Sequence, residues 1–232
     1  MSLPTRAMAA LVYRGMSLVY RMWPGARTLR VLLHLNKYIG QATWMVVCRH
    51  FERSPLRNER LMRFTREFLD AQVEAGDTVL DVGCHEGHLT RYLASRCHRV
   101  VGLDRDAALV ARARAFGTPP NVEFRVGDVG ALPTAERFDV VCLHHVLEHL
   151  DDAQGTLARL GALASRILIE VPDIEQSWTQ SLLRELGGDY FSDATHVREY
   201  DAELLRAHVG AAGLKVTELR QVAGVLQAVA RG

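Results

Sequence analysis

The chain has 232 residues, a net charge of +1, 48% apolar residues and 24% charged residues, ordinary for a globular protein with a sizeable core. No uncharged run reaches about 18 residues, so no membrane-spanning helix is expected. The four cysteines, Cys48, Cys84, Cys97 and Cys142, have no CxxC spacing, so reduced thiols in a reducing, cytoplasmic compartment are expected and a zinc site is not. The small net charge hides an asymmetry. Residues 1–70 carry 12 Lys and Arg against 4 Asp and Glu, whereas residues 71–232 carry 16 against 23.

Residues 4–23 read as one helix, with Arg6, Arg14 and Arg21 on one face and Met8, Leu11, Val12, Leu18, Val19, Met22 and Trp23 over much of the rest. Pro24-Gly25 stops it. A second helical stretch, about 27–50, is rich in Leu, Tyr, Trp and Val, and no acidic residue occurs before Glu52. Three readings fit this segment. It packs over the main domain as a cap and lines the substrate site, the first-ranked reading; it lies on an anionic membrane as a basic amphipathic helix; or it is a targeting peptide, the least favoured because Tyr38, Trp44 and Cys48 continue a packed pattern. Residues 56–75 form a further amphipathic helix, with Leu56, Leu61, Met62, Phe64, Phe68 and Leu69.

From Thr78 onward, short apolar runs alternate with helical stretches, which predicts a doubly wound α/β fold with a mostly parallel sheet. The strands are placed at 78–82, 99–104, 122–126, 138–143 and 166–171, with helices at 88–96, 106–116, 151–164 and 201–212. Two final strands, 214–220 and 223–230, join around Ala223-Gly224. The connection at 173–195 is long, so it reads as a lid-like insertion. Trp178, Tyr190 and Phe191 are its candidate substrate contacts, and Gly187-Gly188 its candidate hinge.

The stretch Val79-Leu-Asp-Val-Gly-Cys-His-Glu-Gly-His-Leu-Thr90 is a buried strand, a glycine turn and a helix start. Gly83 and Gly87 allow a sharp turn and close approach to a ligand. The dinucleotide spacing GxGxxG is absent. Instead, Asp81-x-Gly83-x-x-x-Gly87 resembles motif I of the Rossmann-like S-adenosylmethionine (SAM) methyltransferases, with His85 where that family usually has a third glycine. The resemblance covers roughly residues 58–230 and implies a seven-stranded sheet whose last strands include an antiparallel one. Residues 1–57 are then a helical extension, and 58–232 the methyltransferase domain.

Ligands of such sheets bind beyond the carboxyl ends of the strands. Asp104 ends the second strand and can accept two ribose hydroxyls; Asp106 fits the cap of the next helix better. Asp128 follows the third strand, where the family holds the adenine amino group, with Val129 beside the ring. The resemblance thus implies a SAM site of Asp81, Gly83, His85, Gly87, Asp104, Asp128, Val129 and His144.

After the fourth strand comes His144-His-Val-Leu-Glu-His-Leu150, similar to the post-strand motif of small-molecule methyltransferases such as the ubiquinone-biosynthesis O-methyltransferases. On a helix, His145, Glu148 and His149 would share one face. His196, in His-Val-Arg-Glu-Tyr200, resembles a His-x-Arg-x-aromatic segment that returns over the same pocket. His145, His149 and His196 are the candidate catalytic residues, as general bases. A divalent metal on His145, Glu148, His149 and His196 would be the alternative, by analogy with small-RNA 2′-O-methyltransferases, and a purely structural role remains open. No metal is expected.

The expected function is methyl transfer from SAM to a small organic acceptor, a hydroxyl of a glycan precursor, lipid-linked compound or secondary metabolite. An RNA 2′-O-methyltransferase and a non-catalytic SAM-fold scaffold are the alternatives. Nucleic acid is not expected, because the core lacks a basic, aromatic-rich face. A peripheral membrane contact through residues 1–50 stays open.

Overall fold

The computed structural model describes residues 25–51 and 62–232, together with Ala10, Arg14, Gly15, Ser17, Leu18, Arg21 and Met22. The expected first helix and the start of the third, including Leu56 and Leu61, lie outside the described residues or are only sampled there. Fourteen principal elements follow in order: α1 (Ala26–Phe51), α2 (Arg63–Gln72), β1 (Thr78–Val82), α3 (His88–Ala94), β2 (Arg99–Asp104), α4 (Ala107–Ala115), β3 (Val122–Val126), β4 (Phe138–His144), α5 (Ala153–Leu163), β5 (Ala164–Pro172), α6 (Trp178–Glu185), α7 (Ala202–Ala211), β6 (Lys215–Val222) and β7 (Val225–Arg231).

The strands form one seven-stranded sheet in the order β3-β2-β1-β4-β5-β7-β6. The first five run parallel, and β7 is antiparallel to both β5 and β6. The central strands are buried on both faces, which is why they read as unbroken apolar runs. Alternate residues serve opposite cores. Leu80, Val101, Val141 and Ile167 pack with Leu157, Leu160, Leu205 and Val209 of α5 and α7. Val79, Val100, Val140 and Leu168 pack with Phe68 and Leu69 of α2, Leu93 of α3 and Val110 of α4. The two-residue turn Ala223-Gly224, both at positive φ (49° and 87°), closes the β6–β7 hairpin as its sequence predicts.

The 173–195 connection departs from a bare lid. Its middle forms α6, capped by Ser177 and packed against α1. Gly187 (φ 65°) and Gly188, whose N–H donates to Leu183 O, terminate that helix. Trp178 is 71% exposed and lines neither of the two cavities described below.

Candidate active site

A cleft of about 570 Å³ opens where the strand order reverses, beyond the carboxyl ends of β1, β2, β3 and β4. Its floor is the glycine turn after β1. Gly83 sits at φ 72°, and a Cβ there would lie 2.7 Å from Val146 Cγ2. Gly87 sits at φ 74°, and its added Cβ would lie 2.5 Å from the Phe124 ring. Gly83 lines the cleft, whereas Gly87 serves the packing of α3 against β3. His85 takes the left-handed conformation (φ 51°) and lines the cleft. The turn is pinned to β2 by Gly83 N–H and Cys84 N–H, which both donate to Leu103 O.

Asp104 is clamped at the end of β2. Its Oδ2 accepts from His85 N (2.8 Å) and its Oδ1 from Asp106 N (2.9 Å). Asp106 caps α4, accepting from Ala108 N and Leu109 N, as expected. The Asp104 carboxylate therefore meets the cleft already oriented, with lone pairs left for two hydroxyls. Asp128 follows β3 and lines the cleft, one oxygen accepting from Gly130 N (2.8 Å), with Val129 beside it.

Besides Gly87, two further residues of the expected cofactor set do not line the cleft. Asp81 is 2% exposed beneath the turn, where its Oδ2 accepts from Thr90 Oγ1 at 2.6 Å. Burial, and then the charge of Asp104, push its carboxyl up to about 7 against the lowering effect of Thr90. His144 turns away from the cleft, with Nδ1 2.9 Å from Glu170 Oε1. Neither Asp81 nor His144 lines the cleft.

The post-β4 segment does not form the α-helix on which His145, Glu148 and His149 would have shared one face. Only Leu147–His149 make a short 3₁₀ turn, and His145 precedes it at φ 52°. This turn is held from the far side by Arg198, whose guanidinium donates to Leu147 O, Leu150 O and Asp151 O. His145 and His149 both line the cleft but take different partners. His145 bridges two buried carboxylates, Nδ1 to Glu148 Oε1 (3.2 Å) and Nε2 toward Glu170 Oε1 (3.6 Å). His149 lines the cleft, with Nδ1 3.3 Å from Thr195 O and 3.1 Å from Thr195 Oγ1. In the tautomer that donates Nδ1–H to the Thr195 carbonyl, Nε2 is the basic nitrogen.

His196 lies edge-on to His149, ring centroids 4.6 Å apart. Its Nδ1 lies 3.0 Å from both Ser192 Oγ and Glu199 Oε1, and the carboxylate oxygen accepts. Burial disfavours its charged form, but the hydrogen bond and charge of Glu199, with Glu148 and Asp193, outweigh that and raise its pKa. His196 does not line the first cleft. It lines a second cavity of about 560 Å³ between α1 and the 189–196 segment, together with Lys37, Tyr38, Gln41 and Phe191. Lys37 pairs with Asp189 (2.5 Å) and Gln41 donates to Ser192 O (2.6 Å), tying α1 to that segment. The His149–His196 pair thus stands between the two cavities.

Glu148 and Glu170 are the buried acids of the region. Glu148 is fully buried, and its Oε2 has no hydrogen-bond partner among the described residues. Glu170 accepts from Thr65 Oγ1 (2.8 Å) and from Gln227 Nε2. Burial would raise its carboxyl, yet the hydrogen bond and charge of His144, with Gln227 and His145, hold it down at about 2. Sequence reading passed over Glu170, although an acid inside the run Ile167-Leu-Ile-Glu-Val171 signals a buried partner. It also missed Thr195, Glu199 and Arg198 as supports and Lys37 and Gln41 as cavity walls; only the fold brings these together.

The family model described as a methyltransferase domain matches residues 49–219. The ubiquinone biosynthesis O-methyltransferase of Rhodopseudomonas palustris strain BisB5 is 26% identical over 174 residues, spanning 70% of this chain and 68% of that protein. That of Bradyrhizobium diazoefficiens is 28% identical over 58% of this chain and 54% of its own length. The chain therefore spans only about half the length of several curated relatives. Among solved structures, the magnesium protoporphyrin IX methyltransferase of Synechocystis PCC 6803 with bound S-adenosylhomocysteine (SAH) superposes with a TM-score of 0.60 at 19% identity, covering 76% of this chain and 84% of that one. The N-methyltransferase NodS of Bradyrhizobium japonicum WM9, also with SAH, gives 0.56 at 20% identity over 79% and 90%. With the sheet order, the glycine turn and the clamped Asp104 in agreement, the chain belongs to the methyltransferase-domain family, in its class I, SAM-dependent branch.

Proposed function

We propose that the protein transfers the methyl group of SAM to a hydroxyl of a small organic acceptor. The observation that carries this reading is the adjacency of the two cavities across the His149–His196 pair. The first cavity offers Asp104 for the ribose hydroxyls and Asp128 with Val129 for adenine. The second, walled by Tyr38, Gln41 and Phe191, is the place for the acceptor. The acceptor oxygen attacks the sulfonium methyl in line, the carbon–sulfur bond breaks, SAH leaves, and the hydroxyl proton passes to a base.

His149 suits the base role, because its Nδ1 is oriented by Thr195 and its Nε2 carries the lone pair. His145 suits it less, with Nδ1 bonded to Glu148 and the ring held between two buried carboxylates. His145 positions the loop instead. Much of the acceleration comes from alignment, which supplies roughly 7–11 kcal/mol in favourable cases. The basic extension and the aromatic wall support an acceptor with an anionic or lipid-linked part.

The unpartnered Glu148 Oε2 favours a second reading. Donor atoms of Glu148, His149 and His196 lie within 4.8 Å of one another, and a carboxylate with two imidazoles fits a divalent transition metal. Such an ion would be held by those three side chains and would acidify the acceptor hydroxyl.

Calorimetric titration with SAH, beside Asp104→Ala, tests the cofactor site; micromolar binding that the variant loses is expected. Acceptor screening by mass spectrometry, with and without chelator, then separates the two readings. Failure of folded wild-type protein to bind SAH refutes both.

A further inference from the structure

Helix α1 leaves much of its apolar surface on the side turned away from the body of the protein. Leu33 and Lys37 are buried and Gln41 half-buried against the 189–196 segment and α6, marking the inward face. At about 100° per residue, Val31, Leu35, Ile39, Ala42 and Val46 fall on the opposite side of the helix. Val31, Leu35, Ile39 and Val46 are 52–66% exposed, and Ala42 is exposed too. Tyr38, at 53%, sits at the margin between the two faces. A contiguous apolar stripe of this kind on the outside of a helix marks an interaction surface.

Charge decides what meets it. Arg14, Arg21, Arg27 and Arg30 are all exposed, and no carboxylate occurs before Glu52. Residues 71–232 carry the opposite excess, 23 acids against 16 bases. Two copies of this helix placed face to face would bring acid-free, arginine-bearing segments together, which is repulsive. No helix among the described residues is long and apolar enough to cross a membrane. An apolar stripe with Arg27 near its margin, in an acid-free segment whose other arginines are exposed, on a body of opposite charge, matches an anionic lipid surface in one orientation only.

We propose that the outer face of α1 docks the protein on anionic lipid, with α1 lying in the interfacial plane. Leu35, Ile39 and Val46 enter the headgroup–acyl boundary, while Arg27 at the margin of the stripe meets lipid phosphates and the remaining exposed arginines add long-range attraction. The acidic remainder of the chain is repelled and faces water. Because the inner face of the same helix supplies Lys37 and Gln41, and its margin Tyr38, to the second cavity, docking sets that cavity at the lipid surface. Only this last consequence rests on the acceptor reading above; the docking does not.

Flotation of the full chain with vesicles of phosphatidylcholine, alone or mixed with phosphatidylglycerol, at low and high salt, tests the docking. Wild type is expected to float with the mixed vesicles at low salt and to stay unbound with phosphatidylcholine alone. Leu35→Glu with Ile39→Glu is expected to weaken partitioning on the order of tenfold or more. Arg27→Glu with Arg30→Glu is expected to shift release to lower salt. SAH titration and thermal melting show whether each variant keeps its fold. The proposal falls if wild type never floats, or if the Leu35/Ile39 variant floats like wild type. It falls equally if light scattering finds a dimer that this variant converts to monomer without any vesicle binding. Flotation without SAH binding would leave docking standing and remove the proposed function.

Discussion

Replacing Asp81 by Asn takes a titrating carboxyl out of the core beneath the glycine turn. Asp81 is 2% exposed, and its hydrogen bond comes from Thr90 Oγ1 at 2.6 Å. Burial and the nearby Asp104 charge push its carboxyl up to about 7, against about 3.9 in an unfolded chain. The difference, roughly three units at about 1.4 kcal/mol each, is worth up to about 4 kcal/mol. The folded state prefers the protonated form, so this stability is fully present below about pH 4, is lost progressively as pH rises to about 7, and is constant above that. Asparagine keeps an oxygen for Thr90 and never ionises. Urea melts of both proteins across this range, read by circular dichroism, give the difference directly, because other groups cancel between the two. The variant is expected to gain on wild type as pH rises, and to exceed it by up to about 4 kcal/mol near pH 7.5. Parallel profiles would show that Asp81 stays ionised in the fold and would refute the reasoning.

Gly83→Ala places a Cβ 2.7 Å from Val146 Cγ2 at a φ of 72°, so it is expected to abolish SAH binding by calorimetry while the rest of the sheet still melts cooperatively. His149→Ala is expected to lower kcat by about 10²-fold or more with SAH affinity nearly unchanged, whereas His145→Ala should lower the melting temperature instead; the reverse pattern would reassign the base. Arg198→Ala removes three bonds to the Leu147, Leu150 and Asp151 carbonyls and should raise amide exchange across residues 145–151 together with a fall in kcat. Glu170→Gln should destabilise the protein at neutral pH and converge with wild type as pH falls toward 2, since a carboxyl held at about 2 contributes stability only above its unfolded value of about 4.3 and loses it through the folded one.

The strands and most helices were legible because burial on both faces demands unbroken apolar runs, and glycines at positive φ mark the turns between them. Thr78–Val82, Arg99–Asp104 and Val122–Val126 appear with their expected bounds. Asp104 and Asp128 were legible for a related reason: a polar residue at the end of such a run must face the rim of the sheet. The i, i+3, i+4 spacing of the histidine segment satisfies helical periodicity, so the sequence left a shared helical face open, but the local backbone does not follow it. That backbone is decided from outside, by Arg198 holding the carbonyls and by buried Glu148 and Glu170 holding His145. Which nitrogen of which histidine is committed depends on partners up to 46 residues away, and that α1 turns Lys37 and Gln41 inward, walling the cavity on which His196 opens, and its apolar stripe outward depends on contacts 151 and 152 residues apart. Local sequence determines what each segment prefers to be; only the packed chain determines which polar groups find partners and which surfaces are left without them.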